Sequence, residues 1–475
     1  MSETRIHRGL LRSVMVAPFE AMSAVGLSLI LIGILAREGG MALVGQWAML
    51  QAYVSIALAF DLGVTYGVNR KVATDGAAEG FRLVARAAAG PFGAAALFGA
   101  AALALGPGAG WVFGAAVALA AGSAQLLTQW CSAIQTGAHR HVHTQIATVF
   151  VNIAQFGLAL FALWRLDLPA PSALALAILG ARLLQMLLVL AMLRLSPLGF
   201  GAWLAAPARA PWRAVWDVAR GFTLFSITLK WRVPLLRLSV GFLGGDAALG
   251  LFSIAQRAPE AISAVFSKGL QTMLAGFAGM TTRDESARFV RRGLEVQVAL
   301  CLPLFIVFLA HAPAILELWI GAVDPNLVLM TRMMCLAGIV GALAMPFFWA
   351  LQAAGAANFM AVILAGQTLL IIAIGVIGFR FAGTGALVFI AAFAALSALT
   401  DIIYSVRAVR TVFTPGIVLE WVRTRRVWLV FAANIAGAWI TAQGAEDAGI
   451  VELIARIALY GAISAAISWA AFRRA

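Results

Sequence analysis

Apolar runs about twenty residues long follow one another along the whole chain, from Val14 to Ala471. Each is long enough to cross a hydrocarbon core of about 30 Å as a helix, which takes ~20 residues. Inside lipid every backbone N–H and C=O must find its partner within the segment, so such runs fold as helices. The runs fall at 14–36, 42–67, 84–105, 111–134, 144–164, 172–193, 219–243, 249–276, 293–311, 327–350, 358–379, 384–405, 426–443 and 450–471. They predict an all-α polytopic membrane protein with fourteen transmembrane helices. A chain of 475 residues that is 63% hydrophobic and 11% charged has too few charged groups to clothe a soluble surface of that size. The longest connector, Arg194 to Arg220, is below the usual domain size of at least ~50 residues. Arg5, Arg8 and Arg12 precede a first apolar run that continues past Ile34 without a cleavage site, which reads as an uncleaved first helix. Cys131, Cys301 and Cys335 lie inside apolar runs and form neither a disulfide framework nor a metal-ligand spacing.

The basic residues set an orientation. Placing the N-terminus in the cytoplasm assigns 23 of the 34 Lys and Arg to cytoplasmic segments, with Arg86, Arg220 and Arg426 counted at the cytoplasmic ends of their spans. Only Arg37, Arg165 and Arg380 then lie outside. By the positive-inside bias both termini are cytoplasmic, as in a multi-pass protein of the bacterial inner membrane. The formal charge of +14 is therefore mostly an orientation signal. It is spread over many short loops, which argues against nucleic acid as a partner.

One phrase occurs twice. "GGMALVGQWAMLQ" (39–51) returns at 244–256 as "GGDAALGLFSIAQ". Gly45 and Gly250 correspond, as do Gln51 and Gln256, and Trp47 becomes Phe252, at a constant offset without a gap. Each copy leaves an odd-numbered helix, turns outside and starts an even-numbered one. Six helices separate the copies, so they share one orientation and imply a parallel repeat about an axis along the membrane normal. The glycines predict a tight external turn, with the aromatic residue at interface depth. "WCSAIQTG" (130–137) and "WALQAAG" (349–355) are a weaker second echo. The organisation expected is an N-lobe of six helices (1–193), a cytoplasmic linker (194–218), a C-lobe of six helices (219–405), and a connector with a trailing helix pair (406–475). Trp203, Trp212 and Trp216, with Arg209, Arg213 and Arg220 at helical spacing, make the linker an amphipathic helix on the membrane surface.

These segments resemble a known family. "VGQWAMLQAYVSIALAFDLGVTYGVNRKVA" (44–73) is similar to the second-helix signature of bacterial polysaccharide transporters: glycine and an aromatic first, Asp-Leu-Gly near the inner end, then a basic exit. "LGLFSIAQRAPE" (249–260) resembles the eighth-helix motif of that family, and "ALQAAGAANF" (350–359) the exit of its tenth helix. The resemblance is to O-antigen-type flippases within the multidrug/oligosaccharidyl-lipid/polysaccharide exporter superfamily. It implies translocation of undecaprenyl-diphosphate-linked oligosaccharide from the cytoplasmic to the periplasmic leaflet, for O-antigen, lipopolysaccharide or exopolysaccharide synthesis. It also implies contact with the polymerase and chain-length machinery of the same pathway. Many relatives carry an acidic residue in the outer half of helix seven, whereas "WRVPLLRLSVGFLGG" (231–245) carries none.

The residues themselves point to an anion. Helix seven holds Lys230, Arg232 and Arg237, and helix eight holds Arg257 and Lys268. A cation at the bilayer centre costs about 2.5–3.5 kcal/mol even on the lenient insertion scale. These five must therefore face a water-filled cavity, a partner charge or a bound anion. Lys230 and Arg237 are seven apart and Arg257 and Lys268 eleven apart, so each pair shares a helix face. Pro234 between the first pair can free a carbonyl, which a cavity tolerates and lipid does not. A diphosphate suits such a set, because Arg binds it bidentately and Lys as a point charge. The competing reading is local ion pairing, such as Arg257 with Glu260. Glu20, Asp61 and Glu260 are candidate gating or coupling groups. Asp61 and Lys268 lie about five helical turns beyond Gly45 and Gly250, which suggests an inter-lobe contact between them. Asp61 can alternatively pair near its own helix end, with Asn69 or Arg70.

Other patterns carry less. His139, His141 and His143 sit in a cytoplasmic turn without an acidic or thiol ligand, so no metal and no cofactor is expected. Trp130 and Trp349 read as interface anchors, with stacking on sugar rings as the alternative. Glu452 and Arg456 read as a local pair, and Glu295 as a partner of a nearby Arg. Among functions, a cation-coupled multidrug antiporter on the same fold would need carboxylates and aromatics toward its cargo, not cations. A membrane polymerase or ligase would need a sizeable external loop, and every external connector here is of ordinary length. The expected protein is a monomeric transporter in contact with membrane lipids and is not an enzyme.

Overall fold

The computed structural model describes residues 3–138, 141–194, 212–278, 282–321, 324–381, 385–413, 416, 425–443 and 450–472. Among them the chain is helical throughout, with no strand. The helices are α1 (Glu3–Ala59), α2 (Val64–Asp75), α3 (Ala77–Ala87), α4 (Ala89–Leu105), α5 (Trp111–Gly137), α6 (His141–Arg165), α7 (Ala170–Arg194) and α8 (Trp212–Ala278). They continue with α9 (Arg283–Val296), α10 (Leu302–Ala310), α11 (Ala312–Ile320), α12 (Pro325–Ala353), α13 (Ala357–Phe381), α14 (Gly385–Thr411), α15 (Arg425–Ala442) and α16 (Ile450–Phe472). Nine described stretches are long and apolar enough to cross a membrane, and the bent pair α3–α4 makes ten. Two of the nine, in α1 and α8, contain a sharp break, so each holds two of the apolar runs. Counted at those breaks, and with α15 and α16 added, the fourteen runs all lie on helices.

The breaks coincide with the repeated phrase. Gly40 has φ 65°, ψ −167°. Gly245, its counterpart, has φ 75°, ψ −178°. This region of backbone space is open essentially to glycine alone. The aromatic residue after each turn is enclosed by protein. Trp47 is 3% and Phe252 1% exposed. Phe252 meets Phe389 and Phe393 edge to face at 5.6 and 6.0 Å.

Other interruptions have local causes. Pro91 follows the bend between α3 and α4, where its ring excludes the preceding carbonyl. Pro303 lacks the N–H that residue 299 would need, and Gln297–Cys301 widens into a π-helical turn just before it. α9 opens on a capping box, with Thr282 and Glu285 satisfying each other's backbone donors. α12 opens with Asp324 capping and Pro325 at its first position. The connector after residue 311 is not plain loop. It contains α11, nine apolar residues ended by Gly321 at φ 83°.

The chain packs as two units, residues 1–31 with 42–241 and residues 32–41 with 242–475. In unit 1, α5 is rich in Ala and Gly. A side chain at Gly122 would strike the Val54 carbonyl, and one at Gly114 would crowd that of Pro171. Lipid gives no hydrophobic drive between helices, so such close backbone approach supplies the packing. One end of unit 1 closes around Phe81, Val84, Trp130, Ile134, Val189 and Leu193. In unit 2, Ile262, Cys301, Phe305 and Cys335 form a core, and Phe305 lies against Gly338. The trailing pair α15–α16 is tied by Tyr460 Oη donating to Asn434 Oδ1 at 2.8 Å. His311 Nε2 and Thr441 Oγ1, 3.1 Å apart, join that pair to the α10–α11 break.

Of the linker, residues 195–211 lie outside the described residues. From Trp212 onward the chain is already helical and continuous with α8.

Candidate binding site

The second apolar run is broken near its inner end, where the Asp-Leu-Gly lies. α1 stops at Ala59 and α2 begins at Val64. Between them Leu62 has φ 48° and Gly63 φ 84°. A left-handed leucine is costly, of order 1–3 kcal/mol, and persists only when its surroundings enforce it. Here the surroundings are specific. Asp61 Oδ1 accepts from the Thr65 backbone N–H at 2.9 Å, the Thr65 hydroxyl at 2.6 Å and the Trp130 indole N–H at 2.6 Å. The amide contact places a carboxylate at the start of α2, where the helix dipole favours it.

The inner half of α8 docks on this break. Thr223 Oγ1 donates to the Leu62 carbonyl at 3.0 Å. Seven residues on and on the same face, Lys230 Nζ reaches Asp61 Oδ2 at 2.7 Å. Trp231 packs edge to face on Phe60 at 5.5 Å. The Asp61 side chain is 3% exposed and that of Lys230 34%. The lysine therefore bonds a buried carboxylate while keeping part of its surface accessible. Arg237, two further turns along, is 7% exposed, and Arg232 is half-buried.

In unit 2, Arg257 Nη1 stands 3.7 Å from Glu260 Oε2, the local pair the spacing allowed. Glu20 in unit 1 is half-buried. It lies in the turn before Ser23, which accepts from Asn152 at 3.2 Å. The side chains of Lys268, His139, His141 and His143 lie outside the described residues. Among described residues no cluster of His, Cys, Asp and Glu could hold a metal ion.

Solved structures share this architecture. An inward-facing multidrug resistance MATE family transporter of the MOP superfamily matches with a TM-score of 0.61 at 12% identity, over 87% of this chain and 99% of that one. A MATE protein in complex with MaL6 matches with 0.56 at 13% identity, over 87% and 97%. A MOP superfamily transporter from Pyrococcus furiosus, described as having a binding pocket of reverse polarity that suggests a different function, matches with 0.54 at 12% identity, over 84% and 95%. This chain has the MOP transporter fold. No family model and no curated protein matches its sequence.

Within the MOP fold, the charges singled out in the sequence divide into two sets of partners. Lys230 and Asp61 come together in unit 1, Arg257 and Glu260 in unit 2. Among described residues the partners of Asp61 are thus Lys230 on one oxygen and Thr65 and Trp130 on the other, while the side chains of Arg70 and Lys268 lie outside the described residues. Trp130 is a correction too. It is 2% exposed and donates to Asp61, so it serves as neither an anchor nor a sugar platform. Its role was not visible in the sequence, because the two residues are 69 apart and no periodicity links them. Thr65 was findable, being a hydroxyl four residues after an acid at a helix start. Glu452 with Arg456 and Glu295 with Arg291 pair locally, each at 3.1 Å.

Proposed function

We propose that this protein is a flippase, carrying an undecaprenyl-diphosphate-linked oligosaccharide across the bacterial inner membrane by alternating access. The candidates to receive the diphosphate are Lys230, Arg232 and Arg237 in unit 1, and Arg257 and Lys268 in unit 2. The reading is carried by one observation: α8 sets three cations within eight residues at the middle of an apolar segment, and the carboxylate that meets the first of them, Asp61 against Lys230, is held on its other oxygen by three donors. Lys230 is then exchangeable. Its accessible part can turn to a phosphate oxygen, while Asp61 stays held by Thr65 and Trp130. The Asp61–Lys230 pair acts as a lock that an incoming diphosphate opens, with Glu20 and Glu260 as further gating or coupling groups. The cargo class follows from the sequence resemblance. Pocket polarity is variable on this fold, as the description of the Pyrococcus furiosus neighbour indicates. The glycan's later partners are the polymerase and chain-length machinery, and the protein works as a monomeric transporter, not an enzyme.

A second reading, a cation-coupled multidrug antiporter, draws on the neighbours described as multidrug resistance transporters. It is less well supported, because Asp61, the buried acid of this site, is already neutralised by Lys230. Arg237→Ala and Arg257→Ala are each expected to lower glycan export at least tenfold at unchanged membrane level. Full export in the double variant overturns the flippase reading. Mass spectrometry of lipid retained by the purified protein separates the two cargoes, a lipid diphosphate for the first and none for the second.

A further inference from the structure

The interior of unit 1 holds a second polar place, away from the break at Asp61. α7 turns one face inward, and on it Ala175, Ile178, Val189 and Leu193 are at most 2% exposed. Arg182 lies on that same face, four residues after Ile178 and seven before Val189, yet it is only half-buried. α6 shows the same pattern. Val151 and Ala159 are fully buried, and Gln155, midway between them on one face, is partly accessible. An accessible polar side chain between enclosed neighbours on an inward face opens on an internal space, not on lipid.

The registers bring these positions level. α6 and α7 form a tight hairpin, and a side chain at Gly180 would stand 3.3 Å from Leu158 Cδ1. Arg182 is thereby within about a turn of Gln155 and Asn152. α5 runs alongside α7. Gly114 meets the Pro171 carbonyl at one end, and Trp130 and Ile134 share a core with Val189 and Leu193 at the other. Gln125 falls at the level of Arg182. Its Oε1 is buried without a hydrogen bond, as is Arg182 Nε. Arg182 Nη1 donates to Gln185 Oε1 at 3.1 Å. No described carboxylate pairs with Arg182. A guanidinium deep in a membrane protein, bonded to one amide, level with others and without a described acid, lacks the negative charge that its desolvation demands.

We propose that Arg182, with Gln155, Gln125 and Gln185, forms a binding site for a monovalent anion of halide or carboxylate size inside unit 1. One formal charge with neutral amide donors matches one negative charge, which separates this site from the diphosphate-binding cations of α8. The occupant is either free chloride or the carboxylate of a small organic acid.

Thermal unfolding of the purified protein tests it, at constant ionic strength with sodium chloride, acetate or the bulky isethionate. Chloride or acetate is expected to raise the midpoint by several degrees in a saturable way that isethionate does not reproduce, since ligands of the native state stabilise by mass action. Whichever of the two acts at lower concentration identifies the source. Arg182→Gln is expected to abolish the response, and Gln155→Leu to weaken the apparent affinity about tenfold. Should Arg182→Gln fail to fold, Arg182→Lys must keep a saturable response at a shifted concentration. No response in the native protein, a response surviving in Arg182→Gln, or an unaltered affinity in both Gln155→Leu and Arg182→Lys overturns the site. Glycan export does not enter this readout, so its outcome is independent of the flippase reading.

Discussion

Asp61 shows how far a single residue can be read. The sequence marks it as an acid inside an apolar run, and the lone charge is enough to make it a candidate. Its partners are another matter. Lys230 lies 169 residues away and Trp130 69 away, and nothing in local spacing selects them over Lys268 or Arg70. The pair also sits between two energetic limits. An exposed ion pair contributes about 0–1 kcal/mol, whereas removing one partner of a buried pair costs about 3–5 kcal/mol. With side chains 3% and 34% exposed, Asp61–Lys230 belongs between them. Asp61→Asn and Lys230→Met are each expected to lower the unfolding midpoint of the purified protein. The double variant should lose less than the sum, with a coupling of about 1–3 kcal/mol in a double-mutant cycle. Additivity would mean that the observed contact carries no energy. Trp130→Phe keeps the ring in its core and removes one donor from Asp61. A hydrogen bond to a charged group contributes about 1.5–3 kcal/mol, so this variant should be destabilised by a comparable amount, though Phe81 and Ile134 still pack on its ring.

At the scale of elements, the apolar runs were legible and the breaks only partly so. The glycine pairs announced both turns, because a positive φ with extended ψ leaves glycine as the practical choice. The break after Ala59 was not announced. Asp-Leu-Gly offers one glycine, and the left-handed Leu62 beside it is held on its carbonyl by Thr223, and its neighbour Asp61 by Lys230, both remote in sequence. α11 was hidden for the opposite reason, since nine apolar residues are too few to register as a span. The turns permit a paired test. A methyl group at Gly40 or Gly245 meets nothing within 4 Å, so substitution there acts through the backbone alone. Gly40→Ala and Gly245→Ala are each expected to destabilise by about 1–3 kcal/mol, and by similar amounts. Gly250→Ala differs in kind. Its backbone is ordinary helix, but the added methyl runs into the Met41 carbonyl, so the loss comes from overpacking. Thermal unfolding of the three variants separates the mechanisms. Unequal losses at Gly40 and Gly245 would mean that the repeated phrase does not mark equivalent turns.

For the whole molecule, the direction of transport depends on which ends of the helices face the cytoplasm, and the charge distribution commits to an answer. The connectors assigned to the outside carry three basic residues, Arg37, Arg165 and Arg380, against 23 on the other side. The structure gives two of the outer three a local role that explains their tolerance. The Arg37 guanidinium donates to the Leu318 carbonyl near the end of α11, and Arg165 lies in the last turn of α6, where the helix dipole favours a cation. The inner set has no such uniform explanation. The first ten residues of α9 alone supply Arg283, Arg288, Arg291 and Arg292. That cluster is hard to move across a membrane and should fix the orientation of its neighbours. The chain also suits a direct test, because its three thiols, Cys131, Cys301 and Cys335, are buried and give little background. A cysteine at Asp167, in the turn between α6 and α7, is expected to react with a membrane-impermeant maleimide in intact cells. A cysteine at Asp284, in the first turn of α9, is expected to react only after the membrane is opened. The reverse pattern would put the basic loops outside, and the cytoplasmic-to-periplasmic direction proposed for the cargo would fall with it. Labelling of both sites in intact cells would instead mean that α7 and α8 do not cross the membrane an odd number of times between them and α9.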